Sequence, residues 1–167
     1  TFTLGGLSKL LGLPQMKLSW IVVSGPDELQ QEACARLEIL ADTYLSVNTP
    51  VQLALSRWLS DIDTFQDPIL KRLRDNYHII DEQTRQSRGC SLINVQGGWY
   101  SLIQINSSRH EEQWVLKLLN KYHIFVHPGY FFDMGEGKFI VISLLLPSEA
   151  FKEGVTRLIS RIEQEAS

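Results

Sequence analysis

Gly6-Leu7-Ser8-Lys9-Leu10-Leu11-Gly12-Leu13-Pro14-Gln15-Met16-Lys17-Leu18-Ser19-Trp20 joins two runs of strand character. Upstream, Thr1 to Leu7 alternates apolar and small residues until Gly5-Gly6 break the run. Leu10 to Pro14 reads as a loop. Downstream, Lys17 to Val23 is rich in bulky and β-branched residues and stops at Ser24-Gly25-Pro26, the pattern of a strand followed by a turn. The two strands form a hairpin or belong to a larger sheet with a wide connection, and the pattern leaves both open. Lys9 and Lys17 frame the loop between them.

Beyond this segment the chain turns helical. Pro26-Asp27-Glu28 starts a helix: proline suits a first turn, where its missing N–H leaves nothing unpaired, and the acidic pair suits the positive end of the macrodipole. Leu29, Ala33, Leu37, Leu40 and Ala41 keep the helical period to about Tyr44. After the break at Ser46-Val47-Asn48, Thr49 is expected to cap a second helix with Pro50 at its first position. A third helix is expected from Asp67-Pro68 to Arg88. It has Ile69, Leu73, Tyr77 and Ile80 on its apolar face and Arg72, Arg74, Asp75, Glu82 and Arg85 on a solvated one.

From Gly89 the pattern changes to alternating strands and helices. Strands are predicted at Trp99–Ile105, Ile124–Val126 and Phe139–Leu145. A helix capped by Ser108 runs to about Lys121, and a last helix opens at Pro147 with the stripe Phe151, Val155, Leu158 and Ile162. This half, from about Ser91, reads as a small α/β sandwich with its own core.

Composition excludes several partners. A net charge of −3 and a pI near 5.8 provide no basic face for nucleic acid. No apolar run approaches the roughly 18 residues of a membrane span. Cys34 and Cys90 stand apart, with no CxxC pair and no histidine at ligand spacing, so no metal site is expected and a reducing, cytoplasmic setting fits. The chain opens inside strand-like sequence without an initiating Met, and the expectation is a piece of a longer protein.

The opening segment resembles the lysine segment of class I/II aminotransferases, pyridoxal-phosphate enzymes of fold type I. In that family a strand delivers a lysine into a loop, a Gly-Leu-Pro follows, and a cation eight residues beyond the lysine meets the cofactor phosphate. The resemblance implies that Lys9 forms the Schiff base with pyridoxal 5'-phosphate and moves the substrate α-proton. It also implies that Lys17 holds the phosphate, that Gly6 lets the backbone approach the cofactor, and that the adjacent Ser8 donates a hydrogen bond. Lys17 stands where the family carries arginine, and Gln15 and Ser19 stand where it carries small residues; Lys17 keeps the charge without the bidentate fork.

The likeness continues along the chain. Ser46-Val47-Asn48-Thr49-Pro50-Val51-Gln52 resembles the family's S-V-S-x-P-x-Q stretch, which lies near the cofactor phosphate across the dimer interface. Asn48 and Thr49 are therefore cofactor-binding candidates, although the same residues also read as a helix break and cap. Val126-His127-Pro128-Gly129-Tyr130-Phe131-Phe132, followed by Gly135-Glu136-Gly137-Lys138-Phe139-Ile140-Val141-Ile142-Ser143, resembles the family's V-x-P-G-x-x-F … G-E-G-x-x-x-R-x-S segment. There Val141 takes the place of the arginine that pairs with the substrate carboxylate. A substrate without that carboxylate, or another residue to hold it, is implied, with Lys138 the nearest cation.

The implied fold class is α/β, with α+β character in these residues. Residues 1–88 would be the last strands and long helices of the cofactor-binding large domain, and 89–167 the small C-terminal sandwich. The implied function is amino-group transfer through Lys9 between an amino donor and an oxo-acid, in a homodimer, with these 167 residues inactive by themselves. Two alternatives stay open: a ligand-sensing module of a transcription regulator, or a lyase or decarboxylase using the same cofactor.

Overall fold

The computed structural model describes residues 1–44 and 46–166. Six strands and six helices follow in order: β1 Phe2–Gly6, α1 Leu7–Leu10, β2 Ser19–Val23, α2 Asp27–Thr43, α3 Thr49–Ser60 and α4 Ile62–Arg85. Then come β3 Cys90–Ile93, β4 Tyr100–Ile105, α5 Glu111–Tyr122, β5 His127–Pro128, β6 Phe139–Ser143 and α6 Ser148–Ala166, with 3-10 turns at Pro14–Met16 and Gly129–Phe132. The chain divides into two compact units, Thr1–Ile69 and Leu70–Ser167, and the division falls inside α4.

In the first unit β1 and β2 form an antiparallel hairpin, with Phe2 opposite Val23 and Gly6 opposite Ser19. Gly5 is required by its partner: a Cβ there would lie 2.4 Å from the Trp20 indole nitrogen. Leu7, Leu11 and Leu18 are buried, and around them pack Leu13, Trp20, Val51, Leu55, Trp58 and Phe65. Val51, Leu55 and Trp58 fall at i, i+4 and i+7 of α3, so one helical stripe supplies this side of the core. Helix α2 buries no residue, and Leu29, Ile39 and Leu40 are exposed along it.

The starts of α3 and α4 differ from the expectation. Asn48, not Thr49, caps α3: its Oδ1 accepts the Val51 amide at 3.4 Å, and Thr49 and Pro50 become the first two helical residues. Asparagine is among the best capping residues, and proline fits anywhere in a first turn. Helix α4 begins at Ile62 rather than Asp67, so Pro68 lies inside it. Asp61 starts the turn by accepting from the Thr64 hydroxyl at 2.9 Å and the Thr64 amide at 3.2 Å. Pro68 then leaves the helical bond to the Thr64 carbonyl unmade, which the rest of this 24-residue helix tolerates.

The second unit is built on a four-stranded antiparallel sheet in the order β3-β4-β6-β5. Alternation along the strands sends Ile103, Ile105, Ile140, Ile142 and Leu144 into a core closed by Trp114 and Leu118 of α5 and by Phe151, Val155, Leu158 and Ile162 of α6. The predicted α6 stripe is therefore the observed one. The short strand β3 was not anticipated. β5 falls at His127–Pro128 instead of Ile124–Val126, an edge position where the missing N–H of a proline is harmless. α5 starts at Glu111 after His110, not from a Ser108 cap. The serine that matters there is Ser107, whose Oγ accepts from the Trp114 indole at 2.8 Å and from the Arg109 amide at 3.1 Å.

One polar residue sits inside this core. Asn76, fully buried on α4, donates from Nδ2 to the carbonyls of Leu144 and Leu146, both at 2.8 Å. Both bonds tie α4 to the chain leaving β6.

Candidate functional site

The loop from Leu7 to Leu18 is set by its apolar residues. Leu7 and Leu11, four apart, point into the core of the first unit, so Ser8 and Lys9 are carried toward the opposite side of the single helical turn α1. Ser8 is half-buried and the Lys9 side chain is exposed. The Leu7 carbonyl accepts from both Leu11 and Leu13 at 3.1 Å, and the Gln66 side chain donates to the Leu10 carbonyl at 2.8 Å. Gly12 has φ +67°, and a Cβ there would lie 2.5 Å from the Ile69 Cδ1. Lys17 closes the 3-10 turn in the left-handed region, at φ 52°, and its side chain is exposed beside the buried Leu18.

Both candidate amines are thus exposed on one loop whose leucines are anchored beneath it. Gly6 joins the base of this loop: a Cβ there would come 3.2 Å from the Ser19 Cβ and 3.3 Å from the Leu18 carbonyl oxygen. Asn48 and Thr49 sit at the N-terminus of α3 with exposed side chains, the Asn48 Oδ1 committed to capping. A cleft of about 900 Å³ in the same unit is lined by Leu18, Trp20, Glu38, Asp42, Val47 and Gln52, among others. Its two carboxylates oppose a phosphate group, and neither candidate lysine lines it.

In the second unit, Val141 is 2% exposed and stands between Leu102 of β4 and His127 of β5. The strand Phe-Ile-Val-Ile-Ser holds no cation at any position. Lys138, just before it, donates its ammonium to the Ser107 carbonyl. His127 is half-buried among rings, with Phe125, Phe131 and Phe132 at centroid distances of 5.0, 6.3 and 6.2 Å, and Phe132 meets Tyr100 at 5.7 Å. This ring cluster was not anticipated as a unit. Its members come from three separate elements, and only Phe131 and Phe132 are neighbours in sequence.

Among the described residues no group of His, Cys, Asp or Glu is placed to hold a metal ion, and no helix is long and apolar enough to cross a membrane. Cys34 is exposed, whereas burial pushes the Cys90 thiol above its ordinary pKa.

The sequence model for "Aminotransferase class I and II" matches residues 1–158. A glutamate-pyruvate aminotransferase from Haemophilus influenzae is 24% identical over 164 residues, covering 95% of this chain and 41% of the relative. The fold matches a PLP-dependent aminotransferase from Streptococcus suis with a TM-score of 0.83 at 17% identity, over 99% of this chain and 42% of that one. An alanine aminotransferase from Pyrococcus furiosus matches with a TM-score of 0.83 at 22% identity, over 98% and 42%.

Proposed function

Because this chain belongs to the class I and II aminotransferase family, whose cofactor is pyridoxal 5'-phosphate, we propose that it supplies the lysine-bearing part of a transaminase. The observation that carries the reading is the anchored loop that exposes Lys9 and Lys17 together. On this reading residues 1–88 complete the large domain and residues 89–167 form the small one. The matched relative is more than twice as long, so amino-group transfer is a property of the longer protein and the 167 residues by themselves bind cofactor weakly.

When bound, the cofactor supplies an aldehyde and a ring that draws charge from the substrate α-carbon. Lys9 would hold its aldehyde end, and the Lys9 Nζ would take and return the α-proton. Lys17 would face the phosphate as a point charge, a weaker grip than an arginine fork. Ser8 would donate from its hydroxyl, and the glycine at position 6 keeps the base of the loop narrow. Asn48 retains its Nδ2 and Thr49 its hydroxyl for a phosphate, presented across a homodimer interface. Amino donor and oxo-acid would alternate at the site, in a cytoplasmic protein.

Reductive labelling tests this. Pyridoxal phosphate followed by borohydride should leave a covalent label on the Lys9 peptide of the full-length protein, and Lys9→Ala should abolish it. A label distributed over surface lysines, unchanged in that variant, would sink the proposal.

The lack of a cation on β6 favours a second reading, a ligand-sensing module of a transcription regulator, where a substrate carboxylate need not be gripped for turnover. A winged-helix segment upstream in the full-length sequence would decide for it.

A further inference from the structure

The turn that carries Lys9 is too short to hold itself. α1 spans the four residues Leu7–Leu10, a single turn whose own hydrogen bonds barely meet the cost of ordering its backbone. Its last carbonyls find no partner within so short a helix and need one outside. The Leu7 carbonyl is met from within the loop, by the Leu11 and Leu13 amides. The Leu10 carbonyl, on the residue directly after Lys9, is met from far along the chain. Gln66, 56 residues on, donates to it from Nε2 at 2.8 Å.

Gln66 belongs to the face that the first turns of α4 present to this loop. Ile62 and Phe65 pack around the buried Leu7, Leu11 and Leu18. Ile69 reaches Gly12, where a Cβ would lie 2.5 Å from its Cδ1. Residues 62, 65, 66 and 69 recur at the three- and four-residue spacing of one helix face, whereas Asp63, Thr64, Asp67 and Pro68 are exposed. Gly12 is also where the backbone turns left-handed, at φ +67°. The Gln66 amide and the end of Ile69 therefore bracket Leu10, Leu11 and Gly12, which directly follow the lysine. All of these residues lie in the first unit.

We infer that Gln66 is a positioning residue for the lysine loop: its side-chain amide fixes the backbone next to Lys9 and so sets where the Lys9 amine stands. The inference deepens the transaminase reading and rests on it for what that amine does. A reacting group displaced by about 1 Å loses much of its effectiveness, so a bond one residue from the lysine bears directly on its reactivity. Glutamine suits the place because its terminal amide is a donor, whereas a carboxylate would face the carbonyl with no hydrogen between them.

The test uses the full-length protein with two variants. Gln66→Met keeps the length and packing of the side chain but not the donor, and Ile69→Val withdraws the Cδ1 from Gly12. Hydrogen exchange is followed at the Leu11 and Leu13 amides, with the Leu55 amide in α3 as an internal control. Labelling of Lys9 by pyridoxal phosphate, fixed by borohydride, is followed in time, with the exposed Lys152 as the surface control. Gln66→Met should speed exchange at both loop amides about threefold to tenfold and slow Lys9 labelling by a similar factor. Leu55 exchange and Lys152 labelling should not change. Ile69→Val should act in the same direction to a smaller degree, and it carries the comparison if Gln66→Met does not fold. Loop exchange at the parent rate overturns the holding of the turn. Faster loop exchange with Lys9 labelling at the parent rate overturns the positioning, and so does an equal rise at Leu55, which marks a general loosening of the unit. If the unsubstituted protein labels Lys9 no faster than Lys152, the transaminase reading has failed and the positioning with it. Loop exchange then decides alone whether Gln66 holds the turn.

Discussion

The Leu7 amide donates to the Leu18 carbonyl at 3.1 Å, so two buried leucines at opposite ends of the lysine loop are also joined through their backbones. The loop is therefore tied at both ends to the core of the first unit. Leu7→Ala should destabilise that unit by about 2–5 kcal/mol, the range for emptying a fully buried leucine site. Denaturant unfolding followed by tryptophan fluorescence measures it, and labelling at Lys9 should fall along the same transition.

Lys17 has a left-handed backbone, which a residue with a Cβ adopts at some cost. Lys17→Gly should therefore stabilise the loop by about 0.5–1 kcal/mol while weakening cofactor retention. Lys17→Arg should strengthen retention over the parent, because it restores a bidentate donor. Retention after dialysis, read from the cofactor absorbance, separates strain from charge. If the glycine variant holds the cofactor as well as the parent, Lys17 is not the phosphate cation.

The two residues at the start of α3 are distinguishable by stability. Asn48→Ala removes the side chain that accepts the Val51 amide and should cost about 1 kcal/mol, whereas Thr49→Ala should cost less than about half of that. Thermal melts of the two single variants check the order.

Asn76 donates both of its amide hydrogens to carbonyls, while its Oδ1 is buried without a partner. Asn76→Ala strands two carbonyl acceptors and should cost about 2–3 kcal/mol. Asn76→Asp should be worse at neutral pH, since it places a carboxylate against those same carbonyls. Equal urea midpoints for the two variants would contradict this geometry.

Cys90 gives the pH dependence its sign. Burial raises the folded thiol pKa, so the unfolded chain loses this proton first as the pH rises. Stability from this group is intact below the ordinary thiol value of about 8.5 and declines as the pH passes above it toward the raised folded value. Melts between neutral pH and pH 10 should show the fall, and Cys90→Ala should flatten it. Iodoacetamide should modify the exposed Cys34 well before Cys90.

Elements with a strong local signal were legible in advance. The two strands flanking the Lys9 loop, α2 and the buried stripe of α6 depend on nearest-neighbour periodicity, and the structure places them within a few residues of expectation, choosing the hairpin from the two pairings the pattern left open. Family membership was legible too, because it rests on a contiguous segment around Lys9. The shift of the α3 cap from Thr49 to Asn48 reflects two adjacent capping residues, of which asparagine is the stronger. Pro68 disguised the start of α4, since proline marks a helix start far more often than a helix interior. β3 was too short to announce itself, and β5 contains the residue that ordinarily argues against a strand. Asn76 and Gln66 were out of reach for a different reason. Their partners lie 68 and 70 residues away for Asn76, and 56 away for Gln66, and no local pattern encodes such pairs.

Among the described residues, β1 and β2 pair with no other strand, and Phe2, Leu4, Ile21 and Val22 are exposed along them. Such a ribbon offers free amides and carbonyls on both sides together with greasy side chains, the combination that recruits further strands. Handled alone, these 167 residues should show solubility that drops steeply with concentration. Lysine replacements at Leu4 and Val22 would be the first remedy for anyone purifying them.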